Sequence, residues 1–271
     1  MPFAEGFDHA TILVRDLEQA SATFRNLGFA LTPKGVHEAA GSANHVMNFG
    51  AEYLEILTIN QETPINAHMV AMLASREGVH LAAARTKDVA AVKAHLDQLG
   101  APSMGPVPVA RKVKLPGGDE QEAMFEVLVP IPPGEAADLT FFFSEHKTPE
   151  LTLVAEADGH PNGAIGVLSL EAPVANLSEW TAHLERILGA DGVEKSGAST
   201  TVRSGSAPIT YVDRASWPYG AASGKITIGT RDLNAAREAL KRGGVGFDDN
   251  PDMLSVNAEA ACGVRLEFRL R

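Results

Sequence analysis

The sequence predicts an α+β protein made of four βαβββ units, paired so that each pair encloses a barrel or cleft. Three observations carry that reading. A helix with the same kind of cap, apolar stripe and terminal glycine recurs four times, β-rich runs flank each copy in the same order, and turn-rich segments separate the copies.

The first unit spans residues 7–59. Alternating apolar residues at 11–14 read as a strand, and Asp16 then caps a helix with Gln19 three residues on, as in a capping box. The helix carries the stripe Leu17, Ala20, Phe24 and Leu27, and Gly28 stands where a left-handed C-cap is wanted. The β-rich runs ANHVMNFG and YLEIL complete the unit. Residues 61–76 form an irregular connection with a short helix expected at 67–74. The second unit has a strand at 79–84 and a helix capped by Asp88, with Val89, Val92, Leu96 and Leu99 as its stripe and Gly100 at its end. Strands at 124–129 and 139–143 follow, and the Pro/Gly-rich stretches 115–120 and 130–137 break this unit into hairpins.

The third unit opens with a strand at 165–170. Asn176 caps its helix, Glu179 completes the box, Leu177, Trp180, Leu184 and Ile187 form the stripe, and Gly189 ends it. The fourth has a strand at 226–230, the cap Asp232, the stripe Leu233, Ala236 and Leu240, and then Gly243 and Gly244. Strands at 209–212 and 264–270 belong to these two units. The expected division is an N-terminal domain of residues 1–147, a linker at 148–163 and a C-terminal domain of residues 164–271.

At 271 residues and 45% hydrophobic content the chain can build a sizeable core. A formal net charge of -11 argues against a nucleic-acid backbone or an anionic membrane as main partner. The basic cluster Arg111, Lys112 and Lys114 reads as a solvated strand edge. The first residues lack the features of a signal peptide, no apolar run approaches the roughly 20 residues that span a bilayer, and the single Cys262 has no disulfide partner. The expectation is a cytoplasmic protein that binds a small molecule, with Cys262 a packing residue and a homodimer compatible with the sequence. Neither a phosphate-cradling glycine loop nor a serine or cysteine nucleophile motif is present.

With the repeat, the DHATILVRDL opening and the YLEIL strand in hand, the chain resembles the vicinal oxygen chelate superfamily and, within it, the glyoxalase-like proteins. The likeness is sharpest from Asp8 to Phe29, and EHKTPE with HPNGA, within 145–164, resembles a stretch found in glyoxalase-like members. The resemblance implies paired βαβββ units forming two glyoxalase-like barrels or clefts, with a divalent metal (Fe, Mn, Zn or Ni) held by the first and last strands of each unit and chelated by substrate oxygens. Carried over, His9 and Glu55 take the ligand positions of the first unit and His80 is the third ligand if one extra residue is allowed before Asp88. Strict spacing puts Leu81 there instead. At the end of the second unit either Glu145 or His146 could face the cleft.

From the residues themselves, Glu55 is a carboxylate in an otherwise apolar strand, and a buried carboxylate needs a cation, a metal or hydrogen-bond donors. Glu55 and Glu145 are the expected proton-transfer groups. Asn44, His45 and His146 are the expected substrate contacts, with Asn44 and His45 on opposite strand faces so that at most one lines the cleft. His160 is placed in the crossover, whereas His37, His68, His95 and His183 read as surface residues. In the fourth unit Lys225 takes the place of His9 and Glu267 that of Glu55, so those two are expected to pair and hold no metal. The resulting expectation is a metal-dependent isomerase or lyase acting on a small oxygen-rich substrate. Its alternatives are a metal-free binding or resistance protein and an extradiol-type Fe(II) dioxygenase. With His80 turned away only two ligands remain, which favours the binding protein.

Overall fold

A computed structural model describes residues 4–114, 120–132, 139–154 and 159–271. The four helices expected from their caps form as capped helices. In α1 (Leu17–Asn26) and α3 (Val89–Gln98), the carboxylates of Asp16 and Asp88 accept from the backbone N–H groups of Gln19 at 2.9 Å and Ala91 at 2.8 Å. In α4 (Leu177–Leu188) and α5 (Leu233–Arg242), Asn176 accepts from Glu179 N at 3.1 Å and Asp232 from Asn234 N at 2.8 Å. These bonds satisfy donors that a helix start leaves open. The stripes are buried, with two exceptions: Leu177 at the start of α4 is half-buried, and Leu99 follows the last turn of α3 and is exposed. The connecting helix α2 (Ala67–Ser75) also forms.

The strands make two eight-stranded sheets. The first contains β1 (Gly6–Leu13), β2 (Gly35–His37), β3 (Ser42–Asn48), β4 (Tyr53–Ile59), β5 (Gly78–Arg85), β6 (Ser103–Lys114), β7 (Glu120–Pro130) and β8 (Thr140–His146), in the order β2-β3-β4-β1-β5-β8-β7-β6. The second contains β9 (Ala164–Val174), β10 (Val193–Ser196), β11 (Ser199–Val202), β12 (Ile209–Asp213), β13 (Gly224–Thr230), β14 (Asp248–Asn250), β15 (Met253–Val256) and β16 (Val264–Leu270), in the matching order β10-β11-β12-β9-β13-β16-β15-β14. Units one and two therefore share one sheet and units three and four the other. Within each unit the first and last strands run parallel, as in β1 with β4 and β13 with β16. In the first sheet the outer strands β2 and β6 meet, so it curls almost into a barrel. Residues 115–119 of the turn-rich stretch expected at 115–120 and 133–137 of that expected at 130–137 lie outside the described residues, as does part of the linker, 155–158.

One apolar cluster runs through both sheets. It is reinforced by hydrogen bonds at the joint: Phe7 N donates to Ser204 O at 2.6 Å, and the Glu52 carboxylate accepts from Val167 N at 2.7 Å and Ser206 Oγ at 2.9 Å. Phe29 stacks on Phe268 across this joint with ring centroids 6.0 Å apart. A side chain at Gly243 would put its Cβ 1.9 Å from Asn26 O, so the close approach of α5 to the end of α1 requires glycine there. Cys262 packs half-buried against the cluster, its thiol pushed up to about 11 by burial and the charge of Glu77.

In the second sheet Lys225 lies 3.8 Å from Glu267, but its nearer partner is Glu171 at 2.6 Å. The reason is register, since β13 sets Lys225 directly opposite Glu171 on β9. Burial works against the ammonium, yet the two carboxylates hold its pKa above the ordinary lysine value. Removing the cation takes away the close partner of Glu171 and leaves Glu267 with only its longer contacts to Arg265 at 3.5 Å and Arg269 at 3.7 Å. Lys225→Met is expected to cost ~2 kcal/mol, and adding Glu171→Gln with Glu267→Gln to restore most of it in urea melts. Equal stability of the single and triple variants would refute the pairing.

Candidate active site

One face of the first sheet, bordered by the start of α2, encloses a cavity of about 160 Å³. Strand parity decides what faces it. From β4, Tyr53, Glu55 and Leu57 line the cavity, while Leu54 and Ile56 point into the helix-packed core. His9 and Thr11 of β1 line it, whereas Ala10 and Ile12 do not. The wall is mostly apolar, and its polar groups gather around Glu55.

Glu55 is buried and held from both sides. Thr11 Oγ1 donates to Oε2 at 2.8 Å and Asn44 Nδ2 to Oε1 at 2.5 Å. Burial opposes its ionisation, but His37, His9 and these two hydrogen bonds outweigh burial and hold the carboxyl below its ordinary range. His37 reaches the same wall from β2, with Nδ1 3.1 Å from Ser42 Oγ. Burial lowers its pKa, against the pull of Glu55 and with the push of Arg111.

Behind this wall lies Asp8. β1 pairs with β5 with one extra residue between Phe7 and His9, and this bulge puts Asp8 and His9 within reach of each other, Asp8 Oδ1 lying 2.6 Å from His9 Nδ1. Asp8 also contacts Arg85 Nε at 2.8 Å and His146 Nε2 at 2.9 Å. Burial alone would raise its pKa, but hydrogen bonds from His146 and His9 and the charges of both rings hold it far below the ordinary carboxylate value. An ionised Asp8 can only accept, so His9 carries its proton on Nδ1, and Nε2 has no hydrogen-bond partner among the described residues. The His9 ring stacks on Tyr53 at 4.4 Å and meets Phe142 edge-on at 5.4 Å, which fixes its plane.

Of the residues expected to form the site, the structure brings His9, Glu55 and Asn44 onto one wall. His45 lies on the other face of β3, with Nδ1 2.7 Å from Thr32 O. His80 does not line the cavity. It is the extra residue where Thr11 pairs with Leu81 and Ile12 with Val79, and Leu81 supplies the lining instead. The His80 ring lies 5.4 Å from that of His68, and its pKa falls to about 3, through burial first and then the charges of His68 and Arg76. Glu145 is off the wall too: it alternates with Ser144, which lines the cavity, and its carboxylate accepts from Val89 N at the start of α3 at 2.9 Å. His146 is committed to Asp8 and, through Nδ1 at 2.8 Å, to Thr152 Oγ1. His160 bonds Asn48 O through Nε2 at 2.9 Å and accepts from Ala30 N at 3.1 Å.

The surface readings need correction. His37 and His183 are buried, the first on the cavity wall and the second beside Trp180, and exposed His68 borders the cavity. Arg111 is no solvated edge, being 4% exposed and on the wall, while its neighbour Lys112 is exposed and pairs with Glu38. The alternation of Val107, Val109, Arg111 and Val113 already puts Arg111 on an apolar strand face.

The donor set does not fit the expected metal. With His80 outside and His146 committed to Asp8, only His9 and Glu55 of the expected ligands remain on the wall; His37 stands there too but with its Nδ1 on Ser42, and both Glu55 oxygens accept hydrogen bonds from protein. Among the described residues no three His, Cys, Asp or Glu side chains stand close enough to hold a metal ion.

A family model described as "Glyoxalase-like domain" matches residues 7–188. A hypothetical protein from Staphylococcus aureus has a similar structure, with TM-score 0.70 at 13% identity over 98% of this chain and 99% of that one. A variant of 4-hydroxymandelate synthase from Streptomyces coelicolor aligns with TM-score 0.58 at 12% identity over 99% and 94%. A fusion of a xylose isomerase-like TIM barrel with a 4-hydroxyphenylpyruvate dioxygenase gives 0.59 at 13% identity over 98% of this chain and 49% of that one. At such identities these likenesses speak for the fold alone. A search of curated proteins found no match. No helix among the described residues is long and apolar enough to cross a membrane.

Proposed function

The chain belongs to the glyoxalase-like domain family of the vicinal oxygen chelate superfamily, and from that premise we propose that the cavity of the first sheet binds a small oxygen-bearing molecule and moves a proton on it. The observation that carries this reading is His9, backed by Asp8, beside ionised Glu55 on the wall of one mostly apolar cavity. Two candidate bases differ in their suitability. Glu55 has a lowered pKa and two donors on its oxygens, which makes it a weak base and a good fixed acceptor. His9 has an Nε2 without a partner among the described residues, an orientation set by Asp8, and a carboxylate that stabilises the imidazolium once a proton arrives. The proton therefore goes to His9, while Glu55 fixes a substrate hydroxyl or stabilises positive charge. The apolar wall lowers the local dielectric and so strengthens each of these interactions. Isomerisation or lyase chemistry through an enol is the reaction class this arrangement serves. No step here is routed through a metal, because the donor set does not fit one.

The test is exchange of carbon-bound hydrogen for deuterium next to the carbonyl in a panel of small carbonyl compounds, followed by NMR. The wild type is expected to label at least one member, and His9→Asn to label it about 10² to 10⁴ times more slowly. Labelling by His9→Asn at the wild-type rate would remove His9 from the reaction. The absence of three gathered ligands among the described residues and the apolar lining support a second reading, a protein that binds and sequesters its ligand. Tight binding of a panel member with no exchange would decide for it.

A further inference from the structure

Arg111 is a cation without a partner among the described residues. It enters the cavity from β6 and is 4% exposed, and no hydrogen bond or ion pair to its guanidinium exists among the described residues. The carboxylate on the same wall does not serve it, since Glu55 is held by Thr11 and Asn44. A buried guanidinium without a counter-charge is costly, and its five donors form a planar fork that suits a carboxylate.

A second orphan sits beside it. Asn44 Oδ1 is buried and unpaired, its amide nitrogen being spent on Glu55. Both groups converge at Gly35, where an added Cβ would lie 2.4 Å from Asn44 Oδ1 and 3.3 Å from Arg111 Nη1. Gly35 does not itself line the cavity, but its missing side chain leaves room for the unpaired acceptor of Asn44 and the donors of Arg111, two lining residues, to stand side by side. Beyond them the surface is apolar, with Met104, Val109, Phe125 and Val127 among its side chains.

From this juxtaposition we infer that the ligand is a small monocarboxylic acid with an apolar body, its carboxylate on Arg111 and a hydroxyl or N–H near that carboxylate donating to Asn44 Oδ1. One negative charge matches one unpaired guanidinium. A phosphate monoester would bring nearly two charges to a wall that already holds ionised Glu55, and the apolar lining would solvate neither. This assignment rests on the proposed cavity but not on proton transfer by His9.

The experiment is calorimetric titration of the full chain with aliphatic and aromatic monocarboxylic acids of four to nine carbons, each with its 2-hydroxy derivative and its neutral amide. At least one acid is expected to bind the wild type on the order of 100-fold more tightly than its amide. The 2-hydroxy acid is expected to bind more tightly again. Arg111→Met is expected to bind acid and amide alike while melting no lower than the wild type, since it removes an unpaired buried charge. Arg111→Lys keeps the charge, loses the fork and recovers part of the preference. Amides binding as tightly as acids throughout the panel, or Arg111→Met binding the acid undiminished, would overturn the assignment. A 2-hydroxy acid no better than the plain acid would remove Asn44 from it. Acid binding through Arg111 without deuterium exchange would leave this inference standing and end the proton-transfer reading, and exchange on neutral compounds alone would do the reverse.

Discussion

Asp8→Asn is expected to lower the stability of the protein by ~3–5 kcal/mol, the cost of breaking a buried charge network by removing one member. Three donors converge on Asp8, from His9, Arg85 and His146, and the carboxylate itself is fully buried. An amide offers one acceptor oxygen to these three donors and turns an N–H toward at least one of them. The effect depends on pH with a definite sign. The folded-state pKa of Asp8 is depressed. Its stabilisation is therefore complete above the free aspartate value of about 3.9 and is lost as pH falls below that toward the folded value. Melts at a series of pH values should show the gap between wild type and Asp8→Asn widest at neutral pH and narrowing below pH ~4. A gap that grows on acidification would contradict the network. The same substitution releases the tautomer of His9, so any exchange activity should fall with it.

Phe29→Ala is expected to cost ~3–5 kcal/mol and to destabilise both halves of the chain together. Phe29 follows α1 in the first unit, yet its ring packs on Phe24, on His160 and on Phe268 of the last strand. Both phenylalanines facing each other across the joint are buried, and the surrounding apolar cluster is continuous. Urea unfolding followed by tryptophan fluorescence, which reports only on Trp180 and Trp217 in the second half, should shift its midpoint as far as far-UV dichroism does. A fluorescence midpoint left unmoved would mean that the halves unfold independently.

The helices were legible because their signals are local. Asp16, Asp88, Asn176 and Asp232 each cap the helix that follows within three residues, and the glycines at 28, 100, 189 and 244 take the positive φ their positions called for. The wall of the cavity was legible only where a residue was out of character with its strand, as Glu55 is between Leu54 and Ile56. His80 and Leu81 could not be separated, because the extra residue that decides between them belongs to the pairing of β5 with β1, a contact no local window contains. Arg111 was missed for a different reason. Two nearby lysines made a basic cluster, and the cluster concealed the period-two pattern that sets Arg111 on the valine face. Glu145 looked like Glu55, yet it belongs to the helix-packed face and caps α3 instead.

The extra residue in β1 has a mechanical consequence. In a regular strand neighbouring side chains point to opposite faces, so an acid and a base that cooperate must normally be assembled from separate strands whose spacing has to be maintained. Here the bulge joins carboxylate and imidazole through a single peptide link, and they move as one body. If a ligand pushes β4 and β6 apart on entering, Arg111 and Glu55 shift relative to each other, but Asp8 stays on His9. Recognition can thus be compliant while the proton-handling pair stays rigid.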